Sequence, residues 1–244
     1  MRLFTKDLVK RYKSRTVVDH VSIEVEQGEI VGLLGPNGAG KTTSFYMIVG
    51  LIKPNGGEIF LEDGDRVLNL TKEPVYKRAQ QGVGYLAQEA SVFRKLSVED
   101  NIRAVLQMTD FSKEYQRERL ENLIDEFRLN KVRKSLGIQL SGGERRRTEI
   151  ARAVAINPRF ILLDEPFAGV DPIAVEDIQS IVGTLKEKNI GVIITDHNVH
   201  ETLNITDRTY LLFEGKILKA GSAEDLANDE MVRSVYLGKD FKLR

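Results

Sequence analysis

Near the amino terminus, Gly35-Pro36-Asn37-Gly38-Ala39-Gly40-Lys41-Thr42 fits the pattern G-x-x-x-x-G-K-[ST]. Glycines let a backbone wrap closely enough to aim successive N–H groups at phosphate oxygens, and a helix starting there adds the positive end of its dipole. Lys41 then reaches the β- and γ-phosphates, Thr43 continues the phosphate contact, and the Thr42 hydroxyl suits a magnesium ion that keeps most of its water. The context agrees: Glu29 to Leu34 is a short apolar run of strand type, and Thr43 to Leu51 reads as a helix. The stretch predicts binding of a nucleoside triphosphate with magnesium.

The other candidates follow apolar runs. Arg159-Phe160-Ile161-Leu162-Leu163 has the continuous apolar character of strands inside parallel sheets and delivers Asp164-Glu165 at its end. Gly191 to Thr195 similarly delivers Asp196-His197, and Gly82 to Leu86 runs into Ala87-Gln88. Open α/β sheets present ligand-binding groups at the carboxyl ends of strands. This predicts Asp164 as a magnesium ligand, directly or through water, and Glu165 as the group that orients or deprotonates an attacking water. His197 is placed to contact a γ-phosphate oxygen and that water, and the Gln88 amide to touch magnesium or water. Phosphoryl transfer requires positioning, charge neutralisation and an oriented nucleophile, which Lys41, Thr42, Asp164 and Glu165 cover. The plainer readings are solvated charges, or a helix cap before Pro166, for the carboxylates, a structural histidine and a polar loop glutamine. Ser141-Gly142-Gly143-Glu144 opens another helix and is a second potential anion site. Tyr12, in the basic turn Lys10 to Lys13, is either a ring that stacks on a base or a surface aromatic.

These groups need a scaffold. Leu3 to Lys10 and Thr16 to Val25 alternate apolar and polar residues as half-buried strands do, and Gly56 to Leu61 suggests a further strand. Pro74 to Gln81 reads as a short helix. Residues 90–140 change character: Ser97 caps a helix start, and Leu120, Leu123, Ile124 and Phe127 share one helical face, so a helical insertion is expected. Ile178, Ile181, Val182 and Leu185 mark a core-facing helix, and Thr209 to Phe213 with Lys216 to Ala220 a hairpin. Ser222 to Asp225 starts a terminal helix before a mixed tail.

Composition narrows the function classes. Lysine plus arginine and aspartate plus glutamate each total 36, so no global basic surface marks a nucleic-acid binder. With no cysteine there are no disulfides, thiolate metal sites or cysteine nucleophile. No apolar run is long enough to span a membrane, and Met1 to Lys10 is too charged for a signal peptide, so a cytosolic chain that reaches a membrane only through a partner is expected.

The glycine-rich loop, Gln88, Leu140-Ser141-Gly142-Gly143-Glu144, Ile161-Leu162-Leu163-Asp164-Glu165-Pro166, Gly169-Val170-Asp171 and His197 together resemble, in order and spacing, the ATP-binding subunits of ABC transporters. The resemblance covers nearly the whole chain. It implies an α/β P-loop NTPase (RecA-like) core with a mixed sheet, an N-terminal antiparallel β subdomain and a helical insertion subdomain. The expected division within a single 1–244 domain is 1–89 and 141–221 for the core, 90–140 for the helical part and 222–244 for a terminal helix and tail. It further implies ATP and Mg2+ as ligands, Tyr12 as the adenine-stacking aromatic, Ser141 to Gly143 as the signature, Glu165 as general base, Asp171 as the aspartate of the D-loop and His197 as the switch histidine. Members of this family work as head-to-tail homodimers in which the phosphate loop of one copy and the signature of the other clamp one ATP, and they drive integral membrane subunits.

Ser91 to Val98, Glu144 to Arg147, Ile194 to Val199 and the tail Val235 to Phe241 resemble the members that serve lipopolysaccharide export; branched-chain amino acid importers are the alternative. Phe93, between Arg94 and Lys95, is the candidate coupling contact with a membrane partner, or else an anchor for the helical insertion. A P-loop GTPase would need Asn-Lys-x-Asp, whereas the one Asn-Lys pair continues Val132-Arg133. Soluble relatives that act on nucleic acid or ribosomes carry coiled-coil insertions, zinc cysteines or a duplicated cassette, none of which is present.

Overall fold

The apolar runs of the sequence become strands in the computed structural model, which describes residues 1–238 and 241–243. The strands are β1 (Arg2–Tyr12), β2 (Arg15–Val21), β3 (Glu24–Glu26), β4 (Ile30–Leu34), β5 (Gly56–Asp63), β6 (Arg66–Asn69), β7 (Val83–Leu86), β8 (Phe160–Asp164), β9 (Gly191–Thr195), β10 (Arg208–Phe213) and β11 (Lys216–Gly221). The helices are α1 (Lys41–Val49), α2 (Val75–Gln80), α3 (Val98–Leu106), α4 (Lys113–Glu126), α5 (Gly142–Val154), α6 (Pro172–Glu187), α7 (Val199–Leu203), α8 (Ala223–Asn228) and α9 (Glu230–Val232).

The central sheet runs β11-β10-β4-β9-β8-β7, parallel except for the antiparallel edge β11. Every residue of β4, β8 and β9 is buried, because helices or the second sheet cover both faces. Leu86 pairs with Leu163, Asp164 with Thr195 and Gly32 with Ile194. That register lines up the carboxyl ends of β7, β8, β9 and β4 on one edge. The loop from β4 into α1 therefore emerges beside the loops that carry Gln88, Glu165 and His197.

The second sheet is antiparallel, in the order β2-β1-β5-β6 with β3 on β1. Between the two sheets, Phe45, Met47 and Ile48 of α1 pack with Leu3, Ile59 and Leu61 on one side and Leu33, Leu162 and Ile193 on the other. The opposite face of the central sheet supplies Ile161, Leu163, Val192 and Ile194 to a core that includes α5, α6 and the apolar faces of α3 and α4. Leu120, Leu123, Ile124 and Phe127, spaced for one helical face, are all buried there. Ser97, Ser112, Ser141 and Asp171 each accept an N–H in the first turn of the helix that follows, so local chemistry fixes the starts of α3, α4, α5 and α6.

The single strand expected over Thr16 to Val25 is two. β1 pairs with β2 through Leu8 to Tyr12 and with β3 through Arg2 to Phe4. The changeover is marked by Asp7 at φ 47° and by Thr5 Oγ1 accepting the Ile23 N–H at 2.9 Å, so the ladder cannot be continuous. The short edge strand β6, mostly exposed, lacked the apolar alternation that would announce it. At the carboxyl terminus Tyr236, Leu237 and Phe241 pack with Leu34, Leu203 and Leu211, and the Phe241 ring stacks on His200 at 4.3 Å. Lys239 and Asp240 of the tail motif, with Arg244, lie outside the described residues. Among the described residues no helix is long and apolar enough to cross a membrane.

Phe127 is fully buried where α4 meets the core. Replacing it with alanine is expected to cost about 3–5 kcal/mol, measured as a lower urea midpoint.

Candidate active site

Glycine is required at two points of the phosphate loop. A Cβ at Gly35, whose φ is 147°, would lie 2.2 Å from the Leu212 carbonyl oxygen, and one at Gly40, φ 104°, 2.7 Å from that of Val17. The loop thus turns tightly into α1, whose first residue is Lys41. The Lys41 ammonium folds back and donates to the carbonyl oxygens of Gly35 at 2.6 Å and Pro36 at 3.2 Å. Burial pulls its pKa down, while the Glu165, Asp164 and Asp196 carboxylates push it back up. A recess of about 280 Å³ brings together Asn37, Gly38, Gly40, Lys41, Thr42, Thr43, Gln88, Glu165 and His197, closed on one side by Val17.

Both oxygens of Glu165 are engaged. The Gln88 amide donates to Oε2 at 2.5 Å, and His197 Nε2 lies 2.6 Å from Oε1. Glu165 also occupies left-handed backbone space at φ 46°, which costs a side-chain-bearing residue on the order of 1 kcal/mol or more. Its N–H donates to the Thr195 carbonyl oxygen at 2.7 Å, so the neighbouring strand pins the unusual turn that aims the carboxylate into the recess. The Asp196 carboxylate accepts the N–H groups of Phe167 and Asn198, each at 2.9 Å, tying the loops that follow β8 and β9 together.

Asp164 is fully buried. Its Oδ2 faces the Tyr85 hydroxyl at 3.4 Å, and Oδ1 has no hydrogen-bond partner among the described residues. Burial, then the nearby Glu165 carboxylate, pushes the Asp164 carboxyl up to about 6. A buried carboxylate oxygen without a donor, with the Thr42 hydroxyl in the first turn of α1, is a hard-oxygen set that fits magnesium. Among the described residues no group of three or more His, Cys, Asp or Glu side chains can hold a metal alone. The fit is therefore to a cation that arrives with phosphate and water ligands of its own.

Other predicted residues lie elsewhere. Pro36 and Ala39 face a neighbouring recess of about 350 Å³ against Arg15 and the β10–β11 turn. Tyr12 is half-exposed at the end of β1 beneath the Lys10 ammonium, and it is Val17, on the returning strand, that reaches the phosphate recess. Ser141 is exposed at the start of α5, and neither it nor Gly142 and Gly143 lines the Lys41 recess. The Asp171 carboxylate caps α6, accepting the Ala174 N–H at 3.0 Å. Phe93 is half-exposed, with the Arg152 guanidinium 4.6 Å above its ring. Sequence reasoning did not single out Tyr85, Arg146 or Asp196; a tyrosine or aspartate beside strand-end candidates was the available signal for two of them.

Asp164 carries a testable pH dependence. Its pKa is raised from the unfolded 3.8, so its contribution to stability is fully present below pH 4 and is lost as pH rises through about 6. On the order of 3 kcal/mol is involved. Urea unfolding of the nucleotide-free protein and of Asp164→Asn should give similar stabilities at pH 4 that diverge between pH 4 and about 6 and stay apart above it, with the asparagine variant the more stable.

The ABC transporter family model matches residues 18–168. The chain is 54% identical over 242 residues to the lipopolysaccharide export system ATP-binding protein LptB of Haemophilus influenzae, and 53% identical to that of Escherichia coli K12, covering 99% of both chains in each case. Among solved structures it is similar to an ATP-binding cassette of an ABC transporter in its ADP conformation, with TM-score 0.86 and 28% identity over 98% of this chain and all of the other. A nucleotide-free ATP-binding cassette from an ABC transporter gives TM-score 0.85 at 27% identity, over 98% of this chain and all of that one. With the phosphate loop, the strand-end carboxylates and the glycine-rich helix start in one fold, the chain belongs to the ABC transporter family.

Proposed function

We propose that this chain is the ATP-hydrolysing subunit of an ABC transporter that powers lipopolysaccharide export, working on the cytoplasmic face of the inner membrane through integral membrane subunits. The observation that carries the chemistry is the convergence of Lys41, Gln88, Glu165 and His197 on one recess. The export assignment is supported by identity above 50% over the full length of proteins bearing that name.

In this reading the N–H groups of the phosphate loop and the Lys41 ammonium bind the phosphates of ATP, Lys41 exchanging its loop carbonyls for phosphate oxygens. Thr42 and Asp164, with Gln88 beside them, would hold a magnesium ion, which when bound would neutralise the β- and γ-phosphate charge. Glu165 takes the proton of the attacking water, and His197 fixes the carboxylate and reaches the γ-phosphate. Tyr12 stacks on adenine. The glycine-rich start of α5 lies outside its own recess, which supports its service to a second copy: Ser141, Gly142 and Gly143 cover the ATP held by a head-to-tail partner, with Asp171 at the same contact. Two ATP molecules then hold the dimer closed, and hydrolysis releases it. Phe93, exposed on the 90–140 helical part and propped by Arg152, passes the motion to a membrane subunit.

Two sets of variants test this. Lys41→Ala should lose ATP binding, whereas Glu165→Gln should keep it and accumulate an ATP-bound dimer on size-exclusion chromatography; hydrolysis at the native rate by Glu165→Gln removes it as the base. Phe93→Ala should hydrolyse ATP normally without membrane subunits yet fail to support transport in reconstituted vesicles. Unfolding of that variant, seen by circular dichroism, would assign Phe93 to anchoring the helical part.

A further inference from the structure

We propose that Arg146, a residue of α5 that does not line the phosphate recess, is a positioning residue that sets the hydrolytic geometry of Glu165 and Gln88. Its guanidinium is buried, 5% exposed, and its donors go chiefly to main-chain carbonyl oxygens. Nη2 donates to Asp164 O at 2.9 Å and Nε to Pro166 O at 3.2 Å, the carbonyls immediately before and after Glu165. Nη1 donates to Ala87 O at 2.8 Å, the carbonyl immediately before Gln88. One planar group therefore grips the chain on both sides of the strained residue and next to the amide that holds its carboxylate.

The rest of the surroundings show why an arginine is needed. Glu165 would relax from its left-handed conformation unless the flanking peptides were held. Three divergent carbonyls cannot be satisfied by apolar packing, and Lys offers a single ammonium centre where the guanidinium spreads its donors over a rigid fork. The charge is balanced by Glu149, itself buried, whose Oε2 lies 3.2 Å from Nη1. The other Glu149 oxygen accepts the Ser91 N–H at 2.6 Å, extending the same brace along the segment that leads to Phe93. Because Ser141 caps α5, the helix that starts at this glycine-rich turn also holds the base of its own subunit in place. Arg146 does not line the Lys41 recess, so its removal slows hydrolysis without loosening ATP.

The inference rests on Glu165 as the base, and the test separates the two. Full-length Arg146→Met, Arg146→Lys, Glu165→Gln and the double variant Arg146→Met with Glu165→Gln are compared for ATP affinity, single-turnover hydrolysis and thermal midpoint. Arg146→Met should lose on the order of 10²-fold in hydrolysis rate, with ATP affinity unchanged and Arg146→Lys between it and the native protein. In the double variant the arginine change should add nothing to the loss from Glu165→Gln, since both act through one group. A folded Arg146→Met, or Arg146→Lys if the methionine variant does not fold, that hydrolyses ATP at the native rate overturns the inference. So does a full multiplicative loss in the double variant. Native-rate hydrolysis by Glu165→Gln instead overturns the base assignment.

Discussion

Parallel pairing of four strands is the constraint on which everything else depends. The register of β7 on β8, β8 on β9 and β9 on β4 brings three loop segments and the phosphate loop to the same edge. No residue of the recess is next to the others in sequence across these segments, and none could be held without the sheet. The burial of β4, β8 and β9 on both faces makes the register rigid, because a slip of one residue would turn apolar side chains against the wrong layer. Phosphoryl transfer asks mainly for fixed positions, so a sheet edge is a suitable foundation for it.

The same edge concentrates charge at low dielectric. Asp164, Glu165 and Asp196 are buried within reach of Lys41 and Arg146. Burial alone drives Asp164 and Asp196 toward the protonated state and Lys41 toward the neutral one. The site is thus held away from its electrostatic optimum, and in the proposed reaction a magnesium–nucleotide complex would bring the charges that the buried oxygen of Asp164 and the ammonium of Lys41 lack.

Much of this was legible in the sequence because the signals were local. Gly35 to Thr42 announces a phosphate loop by residue type, and continuous apolar runs ending at Gln88, Asp164-Glu165 and His197 announce buried strands with polar tips. The spacing of Leu120, Leu123, Ile124 and Phe127 announces the core face of α4. What stayed hidden depends on long-range geometry. The positive φ of Glu165 arises from contacts with β9 and α5, which no local propensity reports. Arg146 lies in a row of arginines that looks like a solvated face, and only the packing of α5 against the strand ends turns that one side chain inward. The break between β2 and β3 follows from β1 serving two partners, a property of the pairing and not of the residues that break.

In the proposed dimer one recess is half of a site, completed by the Ser141 end of α5 from a second copy. Mixing two inactive variants tests it: Lys41→Ala, which spoils the recess, and Ser141→Arg, which spoils the helix start. A head-to-tail heterodimer of the two contains one site with both faces native, so ATP hydrolysis should return on mixing although neither variant hydrolyses ATP alone. A mixture as inactive as its components, with heterodimers shown to form, would contradict the account.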